Sequence, residues 1–219
     1  MPAPAHGTSP SRMVRDSAAQ ESTPQIRIFS SSLGFMALVQ HVTAQQRGTV
    51  RQLTTIRQLT IAHPTPADAL RAVEPAWRLQ ANVHDEPNWL VERLQAYAEG
   101  ADVEFDDVLV ALDSMSHFRR RVLAACRAIP RGETRTYGEL ALAAGVPRAA
   151  RAVGTTMASN RVAIIVPCHR VVRSGGQLGG YSAPTGSSLK ARLLDLEKPG
   201  VSNPTPGMNS KRRKLRSPR

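Results

Sequence analysis

The sequence predicts an α/β fold, more narrowly α+β: a small sheet-plus-helix region first, then a mostly helical region holding a helix-turn-helix and one short strand. Three observations carry this. Apolar, β-like pieces crowd the stretch from Ile26 to Ile61, at Ile26-Arg27-Ile28-Phe29 and Leu33-Gly34-Phe35-Met36-Ala37-Leu38-Val39. From Ser116 onward, apolar residues recur at helical spacing behind recognisable caps. Among the later helices lies an apolar, β-branched run, Ile164-Ile165-Val166, which reads as a buried strand over Val162–Val166 that stops at Pro167.

Residues 1–25 are rich in Pro, Ala and Ser, show no apolar period and are expected to be disordered. Arg-Gln-Leu-Thr occurs at 51–54 and again at 57–60, too short for a structural repeat but able to disturb strand register. Thr65-Pro66 forms a cap and first helical position for a helix through Leu70 and Val73. Leu90, Leu94 and Tyr97 mark a second helix that Gly100 ends, and Phe105–Leu112 is a linker. Ser116 caps a helix whose stripe is Phe118, Val122, Leu123, Cys126 and Ile129, which makes Cys126 a core residue and Arg119-Arg120-Arg121 a solvated face.

Thr136-Tyr137-Gly138-Glu139 is a capping box, and its helix runs to about Ala144, where Gly145 turns the chain. Pro147 then opens a second helix, to about Met157. Its larger exposed groups are Arg148 and Arg151, set among Ala149, Ala150, Ala152, Gly154 and Thr155. So narrow a helix can enter a groove closely, although these residues alone favour packing against another helix. A glycine-rich loop follows at 174–180. Ser187 or Ser188 caps a last helix with Leu189, Leu193 and Leu196 on one face and Glu197 near its end. Residues 199–219 end in Lys211-Arg212-Arg213-Lys214-Leu215-Arg216 and read as a disordered basic tail, suited to tracking phosphates or to serving as a nuclear address.

The chain has 219 residues, enough for one or two domains with a real core. Lys and Arg number 29 against 17 Asp and Glu, a net charge of +12 that suggests a polyanionic partner, nucleic acid being the commonest. There are 2 cysteines, and with Cys126 in a helix stripe no structural disulfide is expected, which fits a reducing intracellular compartment. No apolar run approaches the ~20 residues that span a bilayer, and no secretory signal is expected at the N-terminus.

The chemistry gathers at Pro167-Cys168-His169-Arg170. A cysteine where a strand gives way to a turn is well placed to react, but a free thiol has a pKa of roughly 8.5 and needs an activator. His169 and the charge of Arg170 are both candidates. Taken alone, a cysteine after a strand is more often inert core than a nucleophile.

Ile164-Ile165-Val166-Pro167-Cys168-His169-Arg170-Val171-Val172, with Leu178-Gly179-Gly180-Tyr181-Ser182 after it, resembles the active-site segment of the O6-alkylguanine-DNA alkyltransferases, the methylated-DNA–protein-cysteine methyltransferases. The resemblance extends through Ile129–Ala141 and Arg148–Gly154 and covers about Phe118 to Glu197. It implies an N-terminal α/β domain at 26–105 and a DNA-binding alkyltransferase domain at 113–198. It also implies repair by direct reversal: Cys168 takes the alkyl group from 6-O-alkylguanine flipped out of duplex DNA, once per molecule and without a cofactor. By the same resemblance His169 activates Cys168 through a water, Glu197 orients His169, Asn160 braces the turn, and Tyr137 gives a proton toward the departing base. Arg151 fills the stack the base has left; Met157, Tyr181 and Ser182 line its pocket. Arg148 is assigned to a phosphate, and Arg170 is counted with the DNA-facing residues. Arg161 and Ala163 stand where some relatives have prolines. No Cys/His cluster marks the N-terminal half, so no metal is expected. Double-stranded DNA is the expected partner of a monomer that does not bind membranes. It would be cytoplasmic and nucleoid-associated in a bacterium, or nuclear in a eukaryote. The alternatives are a non-catalytic alkyltransferase-like binder, whose cysteine is replaced, and a helix-turn-helix regulator, which leaves Pro-Cys-His-Arg and Glu197 unexplained. A cysteine hydrolase usually separates its Cys and His widely.

Overall fold

In the early strands alternate side chains point to opposite faces, and each face has its own cover. The structure, a computed structural model, describes residues 23–45, 51–84, 88–112 and 114–198. The expected disorder at residues 1–22 and in the tail from residue 199 falls outside these, while Gln25 already begins a strand. Strands β1 (Gln25–Ser31), β2 (Gly34–Gln45) and β3 (Arg51–His63) form an antiparallel meander. Ile26, Ala37 and Val39 face α1 (Pro66–Arg71), where Ala69 and Val73 meet them. Phe29, Met36, Leu38, Ile56, Leu59 and Ile61 face the main core.

Ile56 and Leu59 are three residues apart yet share that face, which a regular strand forbids. The register shift between Val39, paired with Gln58, and Gln40, paired with Ile56, leaves Arg57 as the extra residue of a bulge. Both copies of Arg-Gln-Leu-Thr lie in β3, and the bulge falls at the start of the second. Thr65 caps α1 by accepting from the Asp68 amide at 3.1 Å. A further helix, α2 (Pro75–Gln80), was not anticipated; its signal is Pro75 at the first helical position. Two short parallel strands close the sheet in the order β4-β1-β2-β3-β5. They are β4 (Asn82–Val83) and β5 (Leu109–Val110), the latter inside the expected linker.

Helix α3 (Trp89–Ala98) is capped by Asn88, whose Oδ1 accepts from the Leu90 and Val91 amides, and it buries Leu90, Leu94 and Tyr97. Helix α4 (His117–Arg127) is capped by Ser116 and buries Val122, Leu123 and Cys126. Of its arginines, Arg120 and Arg121 are exposed, while Arg119 reaches Ser159 Oγ at 2.7 Å. The β6 strand (Arg135–Thr136) leads into α5 (Tyr137–Ala143), where both bonds of the capping box are made. Gly145, at φ +65°, makes the turn of the helix-turn-helix.

Helix α6 (Ala150–Ala158) begins three residues later than expected. Arg148 takes a left-handed φ of +65°, which breaks any helix begun at Pro147. The expected strand over Val162–Val166 is not a strand either. Val162 makes a single bridge to Leu59 of β3, Ala163 bridges to Val166, and Ile164 between them has φ +70°. The run is buried, as its composition required, but burial does not distinguish a strand from a tight turn. The strand near the site is instead β7 (Val171–Val172), parallel to β6. Helix α7 (Ser187–Leu196) ends at Glu197, with Gly186 rather than a serine at its N-cap. One buried cluster joins Leu90, Leu94 and Tyr97 of α3 to Leu123, Val166, Cys168 and Leu193, so the core does not divide near residue 105.

Candidate active site

Asn160 organises the turn that carries the thiol. Its Oδ1 accepts from the Val162 amide at 3.1 Å, and its Nδ2 donates to Val166 O at 2.9 Å and to Cys168 Sγ at 3.1 Å. One side chain thus closes the loop and touches the sulfur it presents. Cys168, His169 and Arg170 form a single 3₁₀ turn, all three buried. That turn sends successive side chains in different directions. Cys168 lines two cavities, while His169 and Arg170 both point to Glu197 at the end of α7.

His169 Nε2 lies 2.9 Å from Glu197 Oε1, and its Nδ1 is buried with no hydrogen-bond partner in the protein. Arg170 clasps the same carboxylate, Nε to Oε2 at 2.8 Å and Nη2 to Oε1 at 2.9 Å, and gives Nη1 to Ile129 O. The structure therefore places Arg170 inside the protein, away from the DNA-facing set to which the sequence assigned it. A guanidinium fork beside a buried carboxylate is the reason. Burial works to raise the Glu197 pKa, but the bonds from His169 and Arg170 win and hold it well below the usual carboxylate range. Burial lowers the His169 pKa, with Glu197 opposing, so the imidazole is neutral near pH 7. An ionised Glu197 facing a neutral ring puts the ring proton on Nε2 and the lone pair on Nδ1. Burial pushes the Cys168 thiol up, while the Asn160 bond and the charge of Lys190 pull it back.

Three contributors had no sequence signal for their roles. Tyr97 filled an apolar stripe, yet its hydroxyl lies 2.6 Å from Glu197 Oε1. Arg131 stacks over the Tyr97 ring at 5.4 Å and donates to Leu196 O. Lys190 is fully buried; it donates to Val171 O, lies 6.0 Å from the Tyr137 ring centroid, and has its pKa lowered by burial.

On the open side, a cavity of about 370 Å³ is lined by Tyr137, Gly154, Met157, Ala158, Cys168, Gly180, Tyr181 and Ser182. A second, of about 410 Å³, shares Cys168 and Met157 and reaches Thr60, His63, Arg161 and Ala163. Tyr137 and Tyr181 are both raised in pKa, by burial first and then by the nearby thiol, and so stay protonated. Ser182 donates to Ala158 O at 2.7 Å, fastening the loop to the end of α6. Helix α6 buries Val153, Thr156 and Met157 and exposes Arg151, Ala152 and Thr155, with Arg148 exposed just before it. Cys168, His169 and Glu197 thus come together with Asn160, Tyr137, Met157, Tyr181 and Ser182, while Arg148 and Arg151 stand outside on the surface. Among the described residues no group of His, Cys, Asp or Glu could hold a metal ion, and no helix is long and apolar enough to cross a membrane.

Residues 117–199 match the family model described as 6-O-methylguanine DNA methyltransferase, DNA binding domain. The chain is 50% identical over 109 residues to the methylated-DNA–protein-cysteine methyltransferase of Mycobacterium tuberculosis H37Rv, a match covering 49% of this chain and 63% of that relative. It is 47% identical over 105 residues to the enzyme of that name from Methanosarcina acetivorans, covering 48% and 65%. The chain thus spans a little under two thirds of the length of these curated relatives. Over the whole fold it is similar to the crystal structure of Mycobacterium tuberculosis OGT in complex with DNA, at 36% identity and a TM-score of 0.60, covering 79% of this chain and 92% of that one.

Proposed function

The chain belongs to the methylated-DNA–protein-cysteine methyltransferase family, and from this premise we propose that it repairs 6-O-alkylguanine in duplex DNA by irreversible transfer of the alkyl group to Cys168. The observation that carries the proposal is the junction at Cys168. One sulfur opens on a cavity of about 370 Å³, roomy enough to admit a base, and is backed by a buried His169–Glu197 pair. His169 Nδ1 takes the thiol proton through a bridging water, which makes the thiolate that the raised pKa of Cys168 otherwise withholds. Sulfur attacks the alkyl carbon, the carbon–oxygen bond breaks with its electron pair going to O6, and the guanine anion takes a proton through Tyr137, whose own proton is restored by the one that His169 took from the thiol. The product is a thioether, which has no route back, so each molecule acts once.

Duplex DNA would lie along α6, where small exposed residues allow close approach and affinity comes mainly from phosphates. In a bacterial cell this puts the protein in the cytoplasm, at the nucleoid. We assign the DNA and the thiol to residues 113–198, with residues 26–105 supporting them. The test is to incubate the protein with an oligonucleotide bearing 6-O-methylguanine and locate the methyl group by peptide mass. It should be on the peptide containing Cys168, in a yield that saturates at one per molecule. Multiple turnovers, or an unmodified Cys168, would remove the proposal.

Arg151 gives a second expected result. It is exposed in the first turn of α6, and we assign it to the gap left by a flipped base rather than to the backbone. Unstacking a base costs a few kcal/mol. Arg151→Ala should therefore slow reaction with duplex DNA by about tenfold or more, roughly 1.4 kcal/mol, and leave reaction with the free modified base nearly unchanged. Arg148→Ala, a phosphate contact in this scheme, should weaken duplex binding uniformly across sequences. Equal loss of both rates in Arg151→Ala would make Arg151 structural.

A further inference from the structure

Tyr97 enters the site from α3, in the half of the chain that precedes the helix-turn-helix. Its ring is buried, edge-on to Phe105 at 5.8 Å and beneath the Arg131 guanidinium at 5.4 Å. Filling this space needs only a phenyl ring, and a buried hydroxyl is costly unless it is bonded. Here it is bonded to the carboxylate that faces the catalytic histidine, 2.6 Å from Glu197 Oε1 and 3.3 Å from His169 Nε2. The Tyr97 pKa is pushed well up, by burial first and then by Glu197, so the phenol keeps its proton and donates it to Oε1. Oε1 thus receives Tyr97 Oη, His169 Nε2 and Arg170 Nη2 together, while Oε2 receives Arg170 Nε.

We propose that Tyr97 is a positioning residue of the nucleophile: by holding Glu197 Oε1 it fixes how the carboxylate meets His169 Nε2 and moderates the basicity of His169. The effect on rate rests on the alkyl-transfer reading above; the effect on His169 does not. The groups around His169 are Glu197 and Tyr97 at Nε2, Arg170 behind Glu197 with Glu104 near it, Lys190 from α7, Arg131 over Tyr97, and Cys168 adjacent. Tyr97→Phe alters only the hydroxyl. With one donor gone, Oε1 attracts the imidazolium proton more strongly, so His169 protonates at higher pH. An upward shift of about half to one unit is a fraction of what a charge-assisted hydrogen bond can supply. The looser carboxylate should also slow methyl uptake about tenfold, part of the roughly 10²–10⁴ that a general base contributes.

The experiment follows the His169 ring by nitrogen-15 NMR titration of the free full-length protein, and methyl uptake from 6-O-methylguanine DNA against pH. For Tyr97→Phe the His169 midpoint and the acid limb of the rate profile should both move up and the plateau should fall. Adding Tyr97→Phe to Glu197→Gln should cost nothing further. Site-specific fluorotyrosine at position 97, a stronger donor of the same shape, should move the midpoint the other way; it also decides the matter if Tyr97→Phe does not fold. An unmoved His169 midpoint, with or without a slower rate, would make Tyr97 a core residue only. If the wild type takes up no methyl at all, the alkyl-transfer reading fails, and the NMR midpoints still decide the role of Tyr97.

Discussion

Cys168→Ala is expected to bind duplex DNA bearing 6-O-methylguanine as wild type does and to take up no methyl group. Cys168 is the thiol at the junction of the two cavities, and a thiolate is a far better nucleophile toward the alkyl carbon than a protonated hydroxyl. The nearest residues of similar chemistry, Tyr137 and Tyr181, are held protonated by burial and by the thiol itself. The other free thiol, Cys126, is fully buried on α4, lines neither cavity, and is pushed well up in pKa by burial. The residues assigned to DNA lie on α6 and just before it, and losing one sulfur does not disturb them. The measurement pairs a binding isotherm with peptide mass. Transfer surviving in the variant, or the label on Cys126, would overturn the assignment.

Arg170→Ala should destabilise the protein by about 3–5 kcal/mol, the typical cost of breaking a buried ion pair by removing one partner. The Glu197 side chain has no exposed surface and that of Arg170 is 6% exposed, so water cannot replace the guanidinium. The Ile129 carbonyl would lose its donor as well. Against a total stability typically of 5–15 kcal/mol, such a loss is large. It should appear as a lower midpoint in urea at pH 7 with little change in slope.

The pH dependence has a definite sign. The folded-state pKa of Glu197 lies below its unfolded value near 4.5. Its contribution is therefore complete above that pH and is lost as pH falls toward the folded pKa. The folded-state pKa of His169 is likewise below 6.5, so its contribution is lost as pH falls below about 6.5. Wild type should weaken on acidification from neutrality. In Arg170→Ala the Glu197 pKa should rise, leaving less stability to lose between pH 5 and 3. A flat urea midpoint across pH 7 to 4 in wild type would contradict both assignments.

Some local chemistry that depends on near neighbours was legible in the sequence, though the start of α6 and the cap of α7 were not. The Thr65, Ser116 and Thr136 caps follow from side chains reaching three residues along the chain. The meeting of Cys168, His169 and Glu197 was legible from the resemblance, and so was the bracing by Asn160. Three features were not. An apolar run signals burial, but Ile164 in a left-handed turn leaves no mark in composition. Adjacent residues in a 3₁₀ turn diverge, so whether Arg170 faces DNA or Glu197 depends on a backbone geometry that spacing does not encode. Tyr97 and Lys190 both sit beside leucines on helix faces. Their polar ends matter only because α3 and α7 are brought together by tertiary packing, which no local pattern reports.

The bond between Tyr97 and Glu197 joins residues 100 apart in sequence, and that from Arg192 to Ser32 spans 160. During synthesis at about 5–20 residues per second, α3 is complete for roughly 5–20 s before its acceptor is made. In that interval the sheet and α3 must wait with a phenol that has no carboxylate to receive it. The carboxylate that receives the phenol thus arrives only with the last helix, when α7 docks.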